Sequence, residues 1–246
     1  MRKTCAAVAG MAAFRFPAKE IFMTLYDFFR KVHNRWIGLH TRMVAKALGA
    51  YGGGGRIEYP FDANHPERIF VGRNPLIVRG AMLSCVTHWH GKEYDGKIFL
   101  GDDVLIREDV QISAAASISI GSGTSVGRNS MILDHFHNLM GIGLPPLAQP
   151  LTRPKPVVIE ENCYLSAQVM VGPGVRIGKG SVIGFGCVVL RDVPPYSMLV
   201  NDPANIVRQY DEEEQCWRTL RFARDRVDQS RKKRRVRPVP DDDRES

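Results

Sequence analysis

The sequence predicts a mainly β protein whose central domain is a parallel β-helix, and three observations carry this prediction. Aliphatic residues recur every six positions between Leu100 and His137, with one insertion of two residues. A small or β-branched residue occupies the fifth position of most of these units. The same period resumes at Ile159 and continues to near Pro194. Three such hexads are expected to form one triangular coil, with equivalent residues stacked from coil to coil.

Within each hexad, the aliphatic first position is expected to fill the interior and the small fifth position to fit beside it. An amphipathic α-helix would instead repeat apolar residues three and four positions apart, so the period of six excludes that interpretation. The first positions of the earlier run are Leu100, Ile106, Ile112, Ile120, Val126 and Ile132, and its fifth positions include Val110, Ala116, Thr124 and Ser130.

We divide the chain into three parts on this pattern. Residues 1–56 are expected to form an N-terminal helical segment and a Gly hinge. Residues 57–208 form the β-helix domain with an excursion loop at 138–156, and residues 209–246 form a charged C-terminal helix and a disordered tail. At 246 residues and 44% hydrophobic composition, the chain can support one large domain with such appendages.

Residues 18–50 predict an amphipathic helix, because apolar residues recur near helical spacing with basic residues among them. Two interpretations stay open. Basic residues beside Phe and Trp suit a peripheral helix on an anionic membrane surface, at the inner face of a membrane. A helix at this point in the chain would also suit a cap on the open end of the β-helix, which is the favoured interpretation.

Composition narrows the class of protein further. The five cysteines are scattered and form no CxxC pair, which argues against a disulfide framework or a zinc knuckle and favours a reducing cytoplasm. The sequence contains no run of about 18 apolar residues, so no membrane-spanning helix is predicted. Residues 1–14 combine a basic start with a short apolar core, which leaves a signal peptide or a start-site artefact as alternatives to be weighed.

Three segments interrupt the repeat or precede it. The GGGG run within residues 51–56 is interpreted as a hinge, since no strand pattern and no Gly-Lys-Ser flank it as in a phosphate loop. Residues 84–97 carry His88 and His90 in the sequence HWH. Residues 138–156 are rich in Pro and Gly and are expected to protrude and fold back over a site.

The C-terminal part is charged. We expect a helix over residues 211–226, followed by a tail with a basic block at 231–235 and an acidic end. The basic block alone does not predict nucleic-acid binding, because no nucleic-acid-binding fold accompanies it. Contact with anionic lipid is better motivated, since the N-terminal segment is basic as well.

The later repeats, together with the motif DVPPYS at 192–197 and the ending P-A-x-x-x-R at 203–208, resemble the hexapeptide-repeat acyltransferases. The likeness covers about residues 70–210 and is greatest with the galactoside, maltose and polysaccharide O-acetyltransferases. It implies a left-handed β-helix, a homotrimer, and acetyl-CoA as the acyl donor for a hydroxyl of a sugar or surface-polysaccharide precursor. It implies no metal.

In this family a histidine just before a loop that leaves the β-helix acts as general base, and His135 matches that position. A neutral imidazole can take the proton of an acceptor hydroxyl near pH 7. His137, two residues on, is the alternative base or an acceptor contact. Asn129 or backbone amides are candidates for stabilising the oxyanion.

Candidate acceptor-binding residues are Arg107, Asp134, His88 and His90. Asp134 could orient an imidazole or be a solvated corner residue, and the two histidines could instead form a loop or subunit contact. Arg107 and Ala115 stand where the galactoside enzymes carry Asn and Asp, so a simple galactoside acceptor is not predicted.

The resemblance assigns the coenzyme contacts to the later coils. Ala167 and Phe185 match positions along the pantetheine groove, and Leu190 and Arg191 match a Thr-Lys pair near the phosphates. Arg208 matches a basic residue at the adenosine 3′-phosphate, where guanidinium geometry suits phosphate. Asn205 stands where another basic residue is common.

Cys163 and Cys187 occupy fifth positions of their hexads and are expected to be core residues. Two other classes remain as alternatives. One is a non-catalytic β-helix that serves as an assembly scaffold. The other is a metal hydratase of the γ-type carbonic anhydrase kind, although those enzymes pair ligands as H-x4-H, which neither HFH nor HWH matches.

Overall fold

The computed structural model describes residues 18–138, 141, 143, 145, 148–201, 208–211 and 216–219. Its main body is built from three parallel sheets, named A, B and C. Sheet A consists of β1 (Ala50–Tyr51), β4 (Ile69–Val71), β9 (Lys97–Leu100), β12 (Ser117–Ile120), β15 (Val157–Ile159) and β18 (Arg176–Ile177). Sheet B consists of β2 (Arg56–Ile57), β5 (Leu76–Ile77), β10 (Leu105–Ile106), β13 (Ser125–Val126), β16 (Tyr164–Leu165), β19 (Val182–Ile183) and β21 (Met198–Leu199). Sheet C consists of β3 (Asp62–Asn64), β6 (Met82–Cys85), β11 (Gln111–Ala114), β14 (Met131–Leu133), β17 (Met170–Val171) and β20 (Val188–Val189).

The chain runs through sheets A, B and C in turn, so one strand from each sheet makes one coil. In sheet B, Ile106 lies in register between Ile77 and Val126, and all three side chains are buried. The aliphatic first positions predicted from the sequence are buried in the same way, and so are the fifth positions Val110, Thr124 and Ser130. The predicted parallel β-helix is confirmed.

Corners between strands use left-handed backbone conformations. Asn74, Asp109, Asn129 and Asn162 all have φ between 52° and 56°, a region that Asn and Asp tolerate better than other non-Gly residues. Asn129 is exposed, and its N–H donates to the Glu108 carbonyl. The structure therefore gives Asn129 a turn-forming role at the corner between sheets B and C.

The β-helix begins at Ala50, earlier than the sequence suggested. The GGGG run was expected to be a hinge, but it forms the first corner of the first coil, between β1 and β2. Gly54 and Gly55 have φ of 69° and 63°, and a Cβ at either would collide with Asn74 or Pro75 of the next coil. These glycines are needed for close stacking of coils and not for movement.

Helix α1 (Ala18–Ala47) closes the end of the β-helix with its C-terminal half. Among the described strands none lies on the outer side of β2, so its backbone polar groups need other partners. The His40 ring donates from Nδ1 to the Ile57 carbonyl over 2.8 Å, and the Ile57 N–H donates to Thr41 Oγ1 over 3.0 Å. The capping interpretation of this helix is confirmed.

No helix among the described residues is long and apolar enough to cross a membrane.

Residues 202–246 form a separate unit, described by itself. The described part of this unit is an antiparallel pair, β22 (Arg208–Asp211) and β23 (Cys216–Thr219), with Tyr210 opposite Trp217. The helix expected over residues 211–226 is therefore wrong at Cys216–Thr219. Aromatic and β-branched residues such as Trp217 and Thr219 favour a strand, and this preference outweighed the charge pattern.

Candidate active site

The chain leaves the β-helix twice, and both departures occur at the corner between sheets C and A. The first follows β6 and contains the hairpin of β7 (His88–Trp89) and β8 (Lys92–Glu93). The second follows β14 and returns at β15, so it occupies residues 134–156. Because the corners of successive coils stack, the two excursions protrude on the same edge of the molecule.

His135 lies at the start of the second excursion and is 7% exposed. Its Nδ1 lies 2.7 Å from Oδ1 of Asp134, which is fully buried. Neighbours within a strand point to opposite faces, but β14 ends at Leu133, and the chain beyond it turns so that the two side chains meet. Of the two roles considered for Asp134, the structure supports orientation of an imidazole.

The Asp134 carboxylate is itself held by backbone donors. Its Oδ1 accepts the N–H of Ala115 over 2.8 Å, and its Oδ2 accepts the N–H of Ala116 over 2.7 Å. An ionised carboxylate only accepts hydrogen bonds, so the ring contact requires a proton on His135 Nδ1. Nε2 then keeps its lone pair, which is the arrangement that general-base chemistry needs.

The two arms of the second excursion are joined near their base. The Lys155 N–H donates to the Asp134 carbonyl over 2.8 Å, and the Thr152 N–H donates to the Phe136 carbonyl over 2.7 Å. The Phe136 N–H donates in turn to Thr152 Oγ1, and His137 forms an antiparallel bridge with Leu151. These bonds hold the backbone on both sides of His135.

The first excursion reaches the second through Trp89. The indole Nε1–H donates to the Gln149 carbonyl over 2.9 Å, and the indole ring lies 5.2 Å from the His137 ring, measured between centroids. The hairpin turn at His90 and Gly91 has φ of 48° and 70°, as a two-residue type I′ turn requires. Trp89 thus links segments that are 60 residues apart in the chain.

The other predicted acceptor residues are distributed unevenly. His88 and His90 are exposed and belong to the hairpin, and His88 Nε2 lies 3.5 Å from Glu93 Oε1. Arg107 is exposed at the corner between sheets B and C, where its Nε donates to Glu108 over 2.9 Å. Within one chain the width of sheet C separates Arg107 from His135. Ala115 lies at the site through its backbone N–H.

The predicted coenzyme residues fall on both edges of sheet C. Ala167 and Phe185 stack at the corner between sheets B and C, where the Gly186 N–H donates to the Ala167 carbonyl. Leu190 and Arg191 follow β20 at the corner between sheets C and A, the edge that carries His135. Arg208 lies in β22 of the separate unit, and Asn205 lies outside the described residues.

Burial makes Cys85 and Cys163 poor sources of a reactive thiolate. Cys163 and Cys187 are 2% and 3% exposed, so their predicted core role is confirmed. Burial raises the pKa of the Cys163 thiol, and it raises the pKa of Cys85 to about 11. Because the thiolate is the nucleophile, a raised pKa disfavours covalent catalysis by Cys163 and Cys85. Among the residues described, no group of three or more His, Cys, Asp or Glu side chains could hold a metal ion.

Comparison with known proteins agrees with this architecture. The family model described as bacterial transferase hexapeptide (six repeats) matches residues 156–191, which include the coils directly after the second excursion. Over these residues the chain carries the hexapeptide repeat that the family model describes. The predicted resemblance to hexapeptide-repeat acyltransferases is confirmed as a resemblance.

Two curated proteins that are similar to this chain come from Escherichia coli strain K12. WbbJ, a candidate lipopolysaccharide biosynthesis O-acetyl transferase, is 31% identical over 129 residues, which are 50% of this chain and 65% of WbbJ. WcaF, a candidate colanic acid biosynthesis acetyltransferase, is 30% identical over 122 residues, which are 49% of this chain and 63% of WcaF. The chain therefore spans slightly less than two thirds of the length of either relative.

A solved structure with the same architecture is a variant of AntD, an N-acyltransferase from Bacillus cereus, in complex with dTDP-4-amino-4,6-dideoxyglucose and coenzyme A. The chain matches it with a TM-score of 0.55 and 16% identity, over 78% of this chain and 93% of that chain. At this identity the likeness establishes the fold, and the left-handed β-helix is confirmed.

The sequence predicted His135 as a candidate base, but it did not predict several of the contacts around this residue. Trp89 and Gln149 were not singled out, although the HWH sequence had drawn attention to its histidines. The backbone donors at Ala115 and Ala116 were missed as well. Three consecutive small residues at 114–116, beside the coil that ends in a histidine, are the signal that could have indicated a close approach there.

Proposed function

We propose that this protein is an O-acyltransferase that moves an acetyl group from acetyl-CoA to a hydroxyl of a sugar or surface-polysaccharide precursor. The observation that carries the proposal is the Asp134–His135 pair at the start of the second excursion. The names of WbbJ and WcaF support a carbohydrate acceptor, and the coenzyme A bound to AntD supports the donor.

In the proposed reaction, His135 Nε2 takes the proton of the acceptor hydroxyl as its oxygen attacks the thioester carbonyl. The tetrahedral intermediate then collapses, the bond from carbon to sulfur breaks, and the imidazolium returns the proton to the departing thiolate. Asp134 holds the ring and stabilises its charged form during the step. Donor and acceptor are bound together, so no acyl-enzyme is required.

The coenzyme is assigned to the later coils beside this site. Leu190 and Phe185 are 60% and 63% exposed, which suits residues that a ligand covers. A Cβ at Gly172 would lie 2.7 Å from Leu190 Cδ2 and 3.5 Å from Phe136 Cζ, so glycine keeps the surface open between these side chains. Arg191 would face the phosphates of the coenzyme.

A homotrimer is part of the proposal. Arg107, Ala167 and Phe185 lie on the opposite edge of sheet C from His135. In a ring of three copies, that edge of one subunit could face the His135 edge of the next. The predicted coenzyme and acceptor residues would then be gathered from two chains.

The test is the release of free CoA from acetyl-CoA over a panel of sugars and sugar nucleotides. His135→Ala should lower kcat by about 10²-fold or more while leaving coenzyme binding and oligomeric state unchanged. The matched control is His33→Ala, an exposed histidine on α1, which should retain full turnover.

The outcomes distinguish the alternatives. If His137→Ala abolishes turnover and His135→Ala does not, the assignment of the base is wrong. If acetyl-CoA does not bind at all, the β-helix is a scaffold, and stoichiometric metal in the purified protein would indicate a hydratase. Turnover on no carbohydrate would reject the sugar acceptor.

A further inference from the structure

A row of apolar side chains along α1 is exposed, although large aromatic residues usually pack against a partner. From Leu25 to Trp36 every described side chain except that of Asp27 is exposed, so the β-helix covers little of this part of the helix. Trp36 lines a cavity between the helix and the β-helix together with Tyr59. An isolated helix of this length is marginal in water. The exposed row comprises Leu25, Phe28, Phe29, Val32, Trp36, Leu39 and Met43, at 46% to 64% exposure.

The row has a fixed direction relative to the β-helix. At about 100° per residue, Ile37, His40 and Thr41 form one sector of α1, and all three are buried against the first coil. The His40 ring donates to the Ile57 carbonyl and the Ile57 N–H donates to Thr41 Oγ1, and these two bonds oppose rotation of the helix. The apolar row lies next to this capping sector and therefore cannot turn inward without breaking the cap.

A third sector of α1 is basic. Lys31, Arg35, Arg42 and Lys46 are exposed and follow the apolar row on its side away from the cap. None of the four forms an ion pair with an acidic side chain in the described part of the chain, whereas Arg30 pairs with Asp27 over 2.9 Å. The exposed surface of α1 therefore consists of an apolar row and, beside it, a row of basic side chains without ion pairs in the described part of the chain.

We propose that α1 binds the surface of an anionic membrane, with the apolar row inserted between headgroups and the basic row on the phosphates. The positive charge of the basic row distinguishes the two candidate partners of this surface, which are an anionic membrane and a second copy of the chain. A second copy packed through the same row would bring two basic rows together, whereas an anionic bilayer neutralises them. The two interpretations of this helix are thus compatible, since the capping and membrane sectors are different residues.

This inference does not rest on the proposed enzyme activity, because it is tested without turnover. The full chain is mixed with vesicles of phosphatidylcholine and phosphatidylglycerol in equal parts, or of phosphatidylcholine alone, and bound protein is recovered by flotation. We expect binding to the anionic vesicles only, weakened by salt.

Two double variants test the two rows. Phe29→Ser with Trp36→Ser should weaken binding by about tenfold or more, because two aromatic side chains no longer insert. Arg35→Glu with Arg42→Glu should weaken it by more than about fivefold per charge. Met198→Ser and Arg128→Glu, exposed residues on the β-helix, are matched controls and should bind as wild type. Unchanged circular dichroism shows that each variant is folded.

Equal binding to neutral and anionic vesicles, or no binding to either, would overturn the proposal. It would also be overturned if sedimentation shows that wild type self-associates and that Phe29→Ser with Trp36→Ser dissociates it without any change in vesicle recovery. In that case a second copy covers the row.

Discussion

Asp134 and His135 are consecutive in the chain, yet their side chains meet, with 2.7 Å between Oδ1 and Nδ1. The end of β14 at Leu133 makes this possible, and the N–H groups of Ala115 and Ala116 hold the carboxylate in place. The carboxylate is thereby a positioning group for the proposed base, supported by the coil below.

Replacing Asp134 by Asn should lower kcat for acetyl transfer by roughly 10²-fold or more, because an amide cannot accept all three hydrogen bonds and favours the wrong tautomer of His135. The Michaelis constant for acetyl-CoA should change little. The measurement is steady-state release of CoA with each substrate varied.

Asp102→Asn is the matched control for this change. Asp102 also accepts a backbone N–H, from Arg73 over 2.7 Å, but lies at another corner without a histidine. The Asp102→Asn variant should keep the wild-type kcat for acetyl transfer. Full activity of the Asp134→Asn variant would show that the carboxylate is structural only.

Replacing Trp89 by Phe should loosen the second excursion, since the ring is kept but the donor to the Gln149 carbonyl is lost. The loss of one hydrogen bond of about 1 kcal/mol predicts roughly fivefold faster amide exchange. Hydrogen–deuterium exchange of peptides covering residues 148–155 measures it.

The same substitution at Trp36 provides the comparison, because that indole is exposed on α1. In Trp36→Phe, amide exchange of the second excursion should stay at the wild-type rate. No difference between the two variants would mean that the Trp89 contact does not hold the excursion.

Thr41→Val should destabilise the capped end of the β-helix. It leaves the buried Ile57 N–H without its acceptor, which costs about 1–3 kcal/mol and should lower Tm by several degrees. Thr41→Ser keeps the hydroxyl and should restore most of the stability, as thermal unfolding will show. An equal loss in both variants would assign the effect to packing of the methyl group.

Stability should fall in alkaline solution through Cys85. Burial raises the pKa of this thiol from 9.0 to about 11 in the folded state, so the neutral form is favoured there. The stability that it contributes is complete below pH 9 and is lost as the pH rises through 11, at most about 3 kcal/mol.

In Cys85→Ala the fall in unfolding free energy between pH 9 and 11 should therefore be shallower than in wild type. Val171→Ala, a buried truncation without a titrating group, should lower stability at every pH and leave the slope unchanged. Parallel slopes in wild type and Cys85→Ala would contradict the raised pKa.

Part of the candidate site could be predicted from the sequence. The rest could not, because it consists of contacts between segments that are far apart in the chain. His135 could be proposed as the base because it ends a run of hexads just before a segment that cannot form a coil. The contacts of Trp89 with His137 and Gln149 could not be predicted from the sequence, because they join segments that no local pattern relates. Arg107 was grouped with the acceptor site, yet it lies on the other edge of sheet C, and its predicted role now depends on a neighbouring subunit.

By itself, the sequence determined the coil, since a period of six places every aliphatic first position inside and needs no knowledge of distant contacts. It also determined where the chain leaves the coil, through the Pro- and Gly-rich segment after His137. Only the tertiary structure decided that Asp134 turns toward His135, that Gly54 and Gly55 belong to the first corner, and that α1 divides into a capping sector and an exposed one. Each of these depends on backbone groups of a neighbouring coil, and stacking brings those groups close only after the chain has folded.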